Sequence, residues 1–310
     1  MSDSSPSSGQ RAAAPPAIAW WLRALARLPW GVVYALAACL SWLLLRVVRF
    51  RVGIGRSNLQ ASFPKWSAQQ VDAVLARHYL NTTQVGLETL KLAALDESFL
   101  LERVRFVNPE LVLAEIGAGR SLVLLGAHQC NWEWLIQAIA LRFKVVVNSA
   151  YKPLHSAAAD RLMLALRSRF GVRMIAAKKL WREVVRCRGQ VQIVAFMADQ
   201  MPRSAVGRHW LTFLGRETAF YPGPAEMVSR TGFASFFVRI QRTARGHYAV
   251  EFLPMTTAQQ GLAPEQITAL YAAHIEAQIR AHPADWVWGH RRWKIKRTPA
   301  DLDSQAGAGG

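Results

Sequence analysis

The run "SLVLLG" at 121–126 is continuously apolar after its first residue, with no alternation, as expected of a strand buried on both faces. Beyond it, over 132–142, the apolar positions take up helical spacing. The same change of period repeats along the chain. Candidate strands cover 121–126, 144–149, 172–175 and 191–198, separated by helical stretches at 132–142, 156–170 and 177–188. That order predicts parallel crossover units, with helices packed on a sheet. Two further strands, 234–241 and 247–253, are joined by the hairpin-like "RTARG", so the sheet should be mixed. A helix over 67–95 takes Ser67 as N-cap, another starts at Asn108–Pro109–Glu110, and a late one over 263–281 stops before Pro283. The expected fold class is α/β: a mixed, largely parallel central sheet flanked by helices.

The N-terminal pattern is different. Residues 1–16 are small, polar and Pro-rich, the composition of a disordered segment. No charge falls between Arg27 and Arg46, about the length a helix needs to cross a bilayer core. Trp20, Trp21, Trp30 and Trp42 suit its interfaces, and Arg46, Arg49, Arg51 and Arg56 outnumber Arg11, Arg23 and Arg27, placing the bulk of the chain on the cytoplasmic side. A cleaved signal peptide fits less well, because the apolar stretch starts late and no small-x-small site closes it before Arg46. A buried core helix is the other reading, because Pro29 and the arginines shorten the span. The expected division is a disordered N-terminus (1–16), a membrane-anchor helix (17–50) that spans the bilayer or lies in its interface, a catalytic domain (51–297) and a flexible tail (298–310).

Lys plus Arg number 38 against 20 acids, a net charge of +18, which implies an anionic partner: nucleic acid, an acidic membrane surface or an acidic protein. A hydrophobic content of 52%, with 12 Trp and no basic recognition element, argues against nucleic acid. Cys39, Cys130 and Cys187 are scattered, with no CxxC or Cys/His ligand spacing, so neither a disulfide frame nor a metal site is expected.

The candidate chemistry lies in "GAHQCNWEW". A His followed five residues later by a carboxylate occurs twice, at His128/Glu133 and His155/Asp160, where chance alone supplies about half a match. Within one helix the two members would diverge by roughly 140°. They meet only if the histidine sits on the loop and the acid in the first helical turn. Asn131 as N-cap places Glu133 in that turn, and His128 follows a parallel strand, where open α/β sheets bind ligands. A capped helix beside a surface histidine is the bland alternative. The pair His155/Asp160 fits a structural or substrate-positioning role better. A histidine held in one tautomer by a carboxylate is a competent base for a hydroxyl, and without a Gly-x-Ser-x-Gly elbow no serine acyl-enzyme is expected.

"GAHQCNWEW" resembles the His-x4-acid core of glycerolipid-type acyltransferases and, in its Asn-Trp-Glu form, the lipid A lauroyl/myristoyl acyltransferase branch. Further blocks follow in that family's order: "RSNLQASFP", "YKPLHSAAADRLMLALRSRFG", "ADQMPRSAVGRHWLTFLGRET" and "HPADWVWGHRRWK". The resemblance implies a membrane-anchored enzyme on the cytoplasmic face of the bacterial inner membrane, moving a fatty acyl chain from acyl carrier protein to a hydroxyl of a lipid A precursor. It implies no cofactor, no metal and no covalent intermediate. His128 would be the base and Glu133 its orienting partner. Arg169 is the candidate for the oxyanion or a phosphate, or else a solvated charge at a helix end. Asp199 and Gln200 follow a strand at the same sheet edge, where Asp199 positions a loop or the acceptor, or caps a turn. Arg203, with Arg208 and Arg216, suits phosphate or sugar contacts, and Asn131 and Asp160 are further positioning candidates. Arg291, Arg292 and Lys294 form a basic surface for headgroups or the carrier. Against the family pattern, His155 stands where a small polar residue is expected, and "DQMPRSA" lacks a longer Gly-rich run. These departures bear on the acceptor, so an acyltransferase for another glycolipid or aminolipid is the first alternative. A catalytically silent basic membrane-binding protein is the second.

Overall fold

The computed structural model describes residues 20–202, 207–258 and 260–298. The N-terminal 1–16 expected to be disordered, Arg203 and nearly all of the expected tail lie outside them. Two helices open the described chain, α1 (Trp20–Ala26) and α2 (Trp30–Trp42), the second continuing through a π-helical turn, Leu43–Val47. Then come α3 (Val52–Ser62), α4 (Ala68–Lys91), α5 (Glu97–Arg103), β1 (Val104–Phe106) and α6 (Glu110–Gly117). The alternating body is β2 (Leu122–Gly126), α7 (Trp132–Phe143), β3 (Val146–Tyr151), α8 (Ala157–Arg167), β4 (Arg173–Ala176), α9 (Ala177–Arg186) and β5 (Gln192–Met197). The chain closes with β6 (His209–Phe213), β7 (Arg216–Phe220), α10 (Gly223–Thr231), β8 (Ala234–Ala244), β9 (His247–Thr256), α11 (Pro264–Ala281) and a 3-10 turn at Pro283–Asp285.

Seven strands form one sheet in the order β1-β9-β8-β2-β5-β3-β4. Five of its pairings are parallel, and only the β8–β9 hairpin is antiparallel. The fold is therefore the mixed, largely parallel α/β sheet that the alternation predicts. Every residue of β2 is buried, because β5 and β8 flank it and helices cover both faces. Trp134, Ile139 and Phe143 of α7 pack on one face, and Leu180 of α9, Tyr271 of α11 and Leu75 of α4 on the other. Among the strands, the short β1 and the β6–β7 hairpin that lies apart from the main sheet were not expected, and neither were helices α3, α5 and α10. The hairpin turn carries Leu214 and Gly215 at φ 52° and 73°, which its two-residue connection requires.

Helix α4 carries the expected Ser67 cap in full: Gln70 N–H donates to Ser67 Oγ (3.2 Å) and Ser67 N–H to Gln70 Oε1 (2.8 Å). Helix α2 lies antiparallel along α4. Lys91 Nζ donates to the Leu28 carbonyl (2.6 Å), Tyr34 Oη to Glu88 (3.2 Å) and Thr83 Oγ1 to the Ala37 carbonyl (3.0 Å). Pro29 separates α1 from α2, so the single expected anchor helix is two helices, the second docked by one flank. Its opposite side is an apolar stripe of Val32, Leu36, Leu40, Leu43 and Val47, all exposed.

Glu88 ties this docking to the rest. It is fully buried and accepts from Tyr34 Oη, Tyr248 Oη (2.5 Å) and Asn131 Nδ2 (2.8 Å). Glu88→Ala should destabilise the protein by about 3 kcal/mol, because three buried donors lose their acceptor at once. Chemical denaturation of wild type and variant in one detergent measures the difference.

Candidate active site

The turn Ala127–Asn131 leaves β2 at the carboxyl edge of the sheet. Cys130 adopts φ 51°, an uncommon conformation for a side-chain-bearing residue, and the surroundings hold it there. Its N–H donates to the Asp285 carbonyl (3.1 Å), its Sγ to the Ile240 carbonyl, and Gln129 makes a bridge with Trp286. Asp285 in turn accepts from Asn81 Nδ2 (2.8 Å) and lies 3.5 Å from Arg242 Nε. Asn131 is the N-cap of α7: its Oδ1 accepts from the Trp134 N–H (2.9 Å) and its Nδ2 donates to Glu88. Fully buried, it shapes the site from behind.

His128 is bound by Asp199. The imidazole Nδ1 lies 2.6 Å from Asp199 Oδ1, and the His128 N–H donates to Asp199 Oδ2 (3.0 Å), which also accepts from Trp286 Nε1 (2.8 Å). The cause is register. Gly126 of β2 pairs with Met197 of β5, and each side chain lies two residues past its strand end, so they emerge side by side. Asp199 is 2% exposed, whereas the His128 side chain is 21% exposed, leaving Nε2 on the open side. Trp132 meets the imidazole edge to face, 5.3 Å between centroids.

Glu133 sits in the first turn of α7 as expected but makes no hydrogen bond to His128. Arg167 at the end of α8 takes both its oxygens, Nε donating to Oε2 at 2.7 Å and Nη2 to Oε1, and Trp132 Nε1 also donates to Oε1 (3.1 Å). The bond that holds the imidazole thus comes from the neighbouring strand, and Glu133 acts on His128 through its charge. Burial works to lower the His128 pKa, but the Asp199 charge and hydrogen bond, with Glu133 beyond them, hold it above the usual histidine value. Burial likewise works to raise Asp199, and His128 and Trp286 keep it below the usual carboxyl value.

These shifts have opposite pH limits. The Asp199 contribution to stability is complete above its unfolded pKa and is lost as pH falls through the lowered folded value. The His128 contribution is complete below its unfolded pKa and is lost as pH rises through the raised folded value. The melting temperature of wild type should therefore exceed that of Asp199→Asn by most between about pH 4 and 6.5, the gap narrowing on either side.

Other expected residues fall elsewhere. Arg169 lies beyond the end of α8, which stops at Arg167 and not at 170, and donates to the Leu92 carbonyl while feeling the charges of Asp96 and Arg23. Arg167, bonded to Glu133, is the guanidinium whose charge reaches His128. Asp160 is in the first turn of α8, where its Oδ1 accepts from the Leu154 N–H (2.8 Å); no bond joins it to the exposed His155 among the described residues. Gln200 is exposed. Arg291 and Lys294 are exposed as a basic surface requires, but Arg292 is 2% exposed, its guanidinium carbon 4.6 Å from the Phe220 ring centroid. Arg167, Asp285 and Trp286 were missed. "ADW" offered a signal, because a Trp beside an acid in a Pro-bounded turn is poor surface composition.

A family description, bacterial lipid A biosynthesis acyltransferase, matches residues 14–295. The chain is 23% identical over 250 residues to a lipid A biosynthesis acyltransferase of Haemophilus influenzae, covering 80% of this chain and 77% of that protein. It is 24% identical over 254 residues to a phosphatidylinositol mannoside acyltransferase of Mycolicibacterium smegmatis, covering 77% and 78%. The family match spans β1, the sheet and the His128 edge up to the bracing turn at Asp285 and Trp286. This chain is an acyltransferase and belongs to the bacterial lipid A biosynthesis acyltransferase family.

Proposed function

We propose that the protein transfers a fatty acyl chain from an acyl carrier protein thioester to a hydroxyl of a lipid A precursor, with His128 as general base. The observation that carries the reading is the His128–Asp199 bond, with the imidazole half-open at the sheet edge. Asp199 fixes Nδ1 as the protonated nitrogen, so Nε2 is free to take the acceptor's hydroxyl proton. The oxygen attacks the thioester carbonyl, the tetrahedral intermediate collapses, the C–S bond breaks, and the imidazolium returns its proton to the leaving thiolate. Atoms and charge balance with no cofactor or metal. Asp199 stabilises the imidazolium, while Glu133 and Arg167 set the field at the helix start. Arg291 and Lys294 are exposed for anionic headgroups or the carrier.

The α2 stripe supports a membrane partner, and family membership supports reading that membrane as the inner membrane, approached from the cytoplasm. Because α2 is hydrogen-bonded to α4 on one flank at Tyr34 and Ala37, we read it as lying in the interface with Trp20 and Trp21 beside it. Lysine at both Leu36 and Leu40 should move most of the protein from the membrane pellet into the supernatant at high salt, with the melting temperature little changed. Retention in the pellet would rule out the interfacial stripe.

The mycobacterial relative favours a second acceptor, another membrane glycolipid. Purified enzyme with acyl carrier protein thioester, offered a lipid A precursor or a phosphatidylinositol mannoside, decides between them by mass spectrometry of the product. A deletion strain whose lipid A stays fully acylated would overturn the first acceptor.

A further inference from the structure

The segment "GHRRWK" reads as a solvated basic run, yet one of its arginines is among the most buried large side chains of the molecule. The Arg292 guanidinium carbon lies 4.6 Å from the Phe220 ring centroid and 6.0 Å from that of Phe213. None of its Nε, Nη1 and Nη2 has a hydrogen-bond partner among the described residues. A buried, unpaired charge costs several kcal/mol, as an order of magnitude, and proteins rarely keep one without a use.

Its neighbourhood is the back of the site. Trp286, which donates to Asp199, lies 6.2 Å from the Phe213 ring; Tyr271, which donates to the Gly126 carbonyl and accepts from the Ala198 N–H, lies 6.4 Å from the Phe220 ring. Arg292 is thus packed among the rings that adjoin the supports of Asp199, close enough for the guanidinium to feel the Asp199 charge without a direct bond. We propose that Arg292 is a positioning residue, a buried counter-charge that acts through Asp199 to limit how strongly the carboxylates favour the protonated imidazole of His128.

The charges around the imidazole and the carboxylate behind it support this. Asp199 follows β5, Glu133 is on α7, Arg167 ends α8, and Arg292 lies in the C-terminal segment. Their sum is zero, so a neutral imidazole leaves the site uncharged. Two further groups lie around Asp199 and Arg292 and stay neutral. His290 is pushed down to about 4 by burial and by Arg292, and burial holds the Tyr271 phenol on α11 protonated. Arg51, which donates to the Gly289 carbonyl, faces His290 from the outer side. Without Arg292 the two carboxylates outweigh Arg167, and the imidazole would hold its proton to higher pH.

This rests on the reading of His128 as the base, and its test runs without an acyl donor. Diethyl pyrocarbonate acylates only the neutral imidazole, so the rate of His128 modification against pH, followed by peptide mass spectrometry on the full chain in detergent, reports the protonation directly. In Arg292→Met the midpoint should rise by about one unit, equal to roughly tenfold slower modification on the acid side, and the acid limb of kcat/KM should rise with it. Arg292→Lys should keep the wild-type midpoint. A wild-type midpoint in the Met variant, or an equal rise in the Lys variant, overturns the proposal. Arg292→Gln is a second neutral variant, and failure of both neutral variants to fold also overturns it, because a neutral side chain of similar size should be tolerated there. Failure of the base reading would look different: enzyme modified at His128 would retain its acyl transfer.

Discussion

His128→Ala should lower kcat for acyl transfer by about a thousandfold, with a much smaller change in KM. Among the described residues, the imidazole is the one group at this sheet edge that combines an open nitrogen with a buried carboxylate behind it. Without it the acceptor hydroxyl must attack with its proton in place, and the thiolate must leave without one. The fold should survive, because Asp199 keeps the Trp286 indole and the backbone N–H as donors and the side chain lies partly in solvent. We expect a loss of about 1 kcal/mol in stability, the net worth of one hydrogen bond. Labelled acyl transfer by the purified variant, with melting curves as control, measures both. Activity within twofold of wild type would leave the catalytically silent membrane-binding reading in place.

Asp199→Asn should cost on the order of a thousandfold in kcat, close to the loss of the base itself. An amide has the shape of the carboxylate but cannot stabilise the imidazolium. Its NH2 would also have to face one of three donors: the His128 ring, the His128 N–H or the Trp286 indole. A buried donor facing a donor should cost about 2 kcal/mol of stability as well. Glu133→Gln leaves the His128–Asp199 bond intact and should lose only about tenfold, the worth of one charge felt across a helix start. The order of the two losses is the decisive result. If Glu133→Gln were the more damaging, the imidazole would depend on its helix neighbour and not on the adjacent strand.

The alternation of apolar runs and helical faces was legible because each element is local. The continuous apolar β2, the Ser67 and Asn131 caps and the β8–β9 hairpin all follow from a few adjacent residues. The bond between His128 and Asp199 joins positions 71 residues apart and depends on strand order and register, which no local pattern carries. Spacing within the sequence pointed to Glu133 because it was the nearest carboxylate along the chain. Arg292 was misplaced for a related reason: a basic run implies solvent unless its surroundings are known, and here Phe213 and Phe220 come from a hairpin that sequence reading did not find. Arg167 and Arg169 differ by two positions, and only the end of α8 decides which one faces the site.

The brace formed by Asp285 and Trp286 on the histidine turn has a consequence for how the molecule is made. Asp285 and Trp286 leave the ribosome after the whole sheet and α11, and domains acquire structure as they emerge. Gln129 and Cys130 therefore emerge well before the partners that hold them, and the histidine turn stays unbraced while the strands around it pair. The reactive edge is completed only once the C-terminal segment docks, so a chain cut short before Asp285 would carry His128 and Asp199 without the brace that sets their turn.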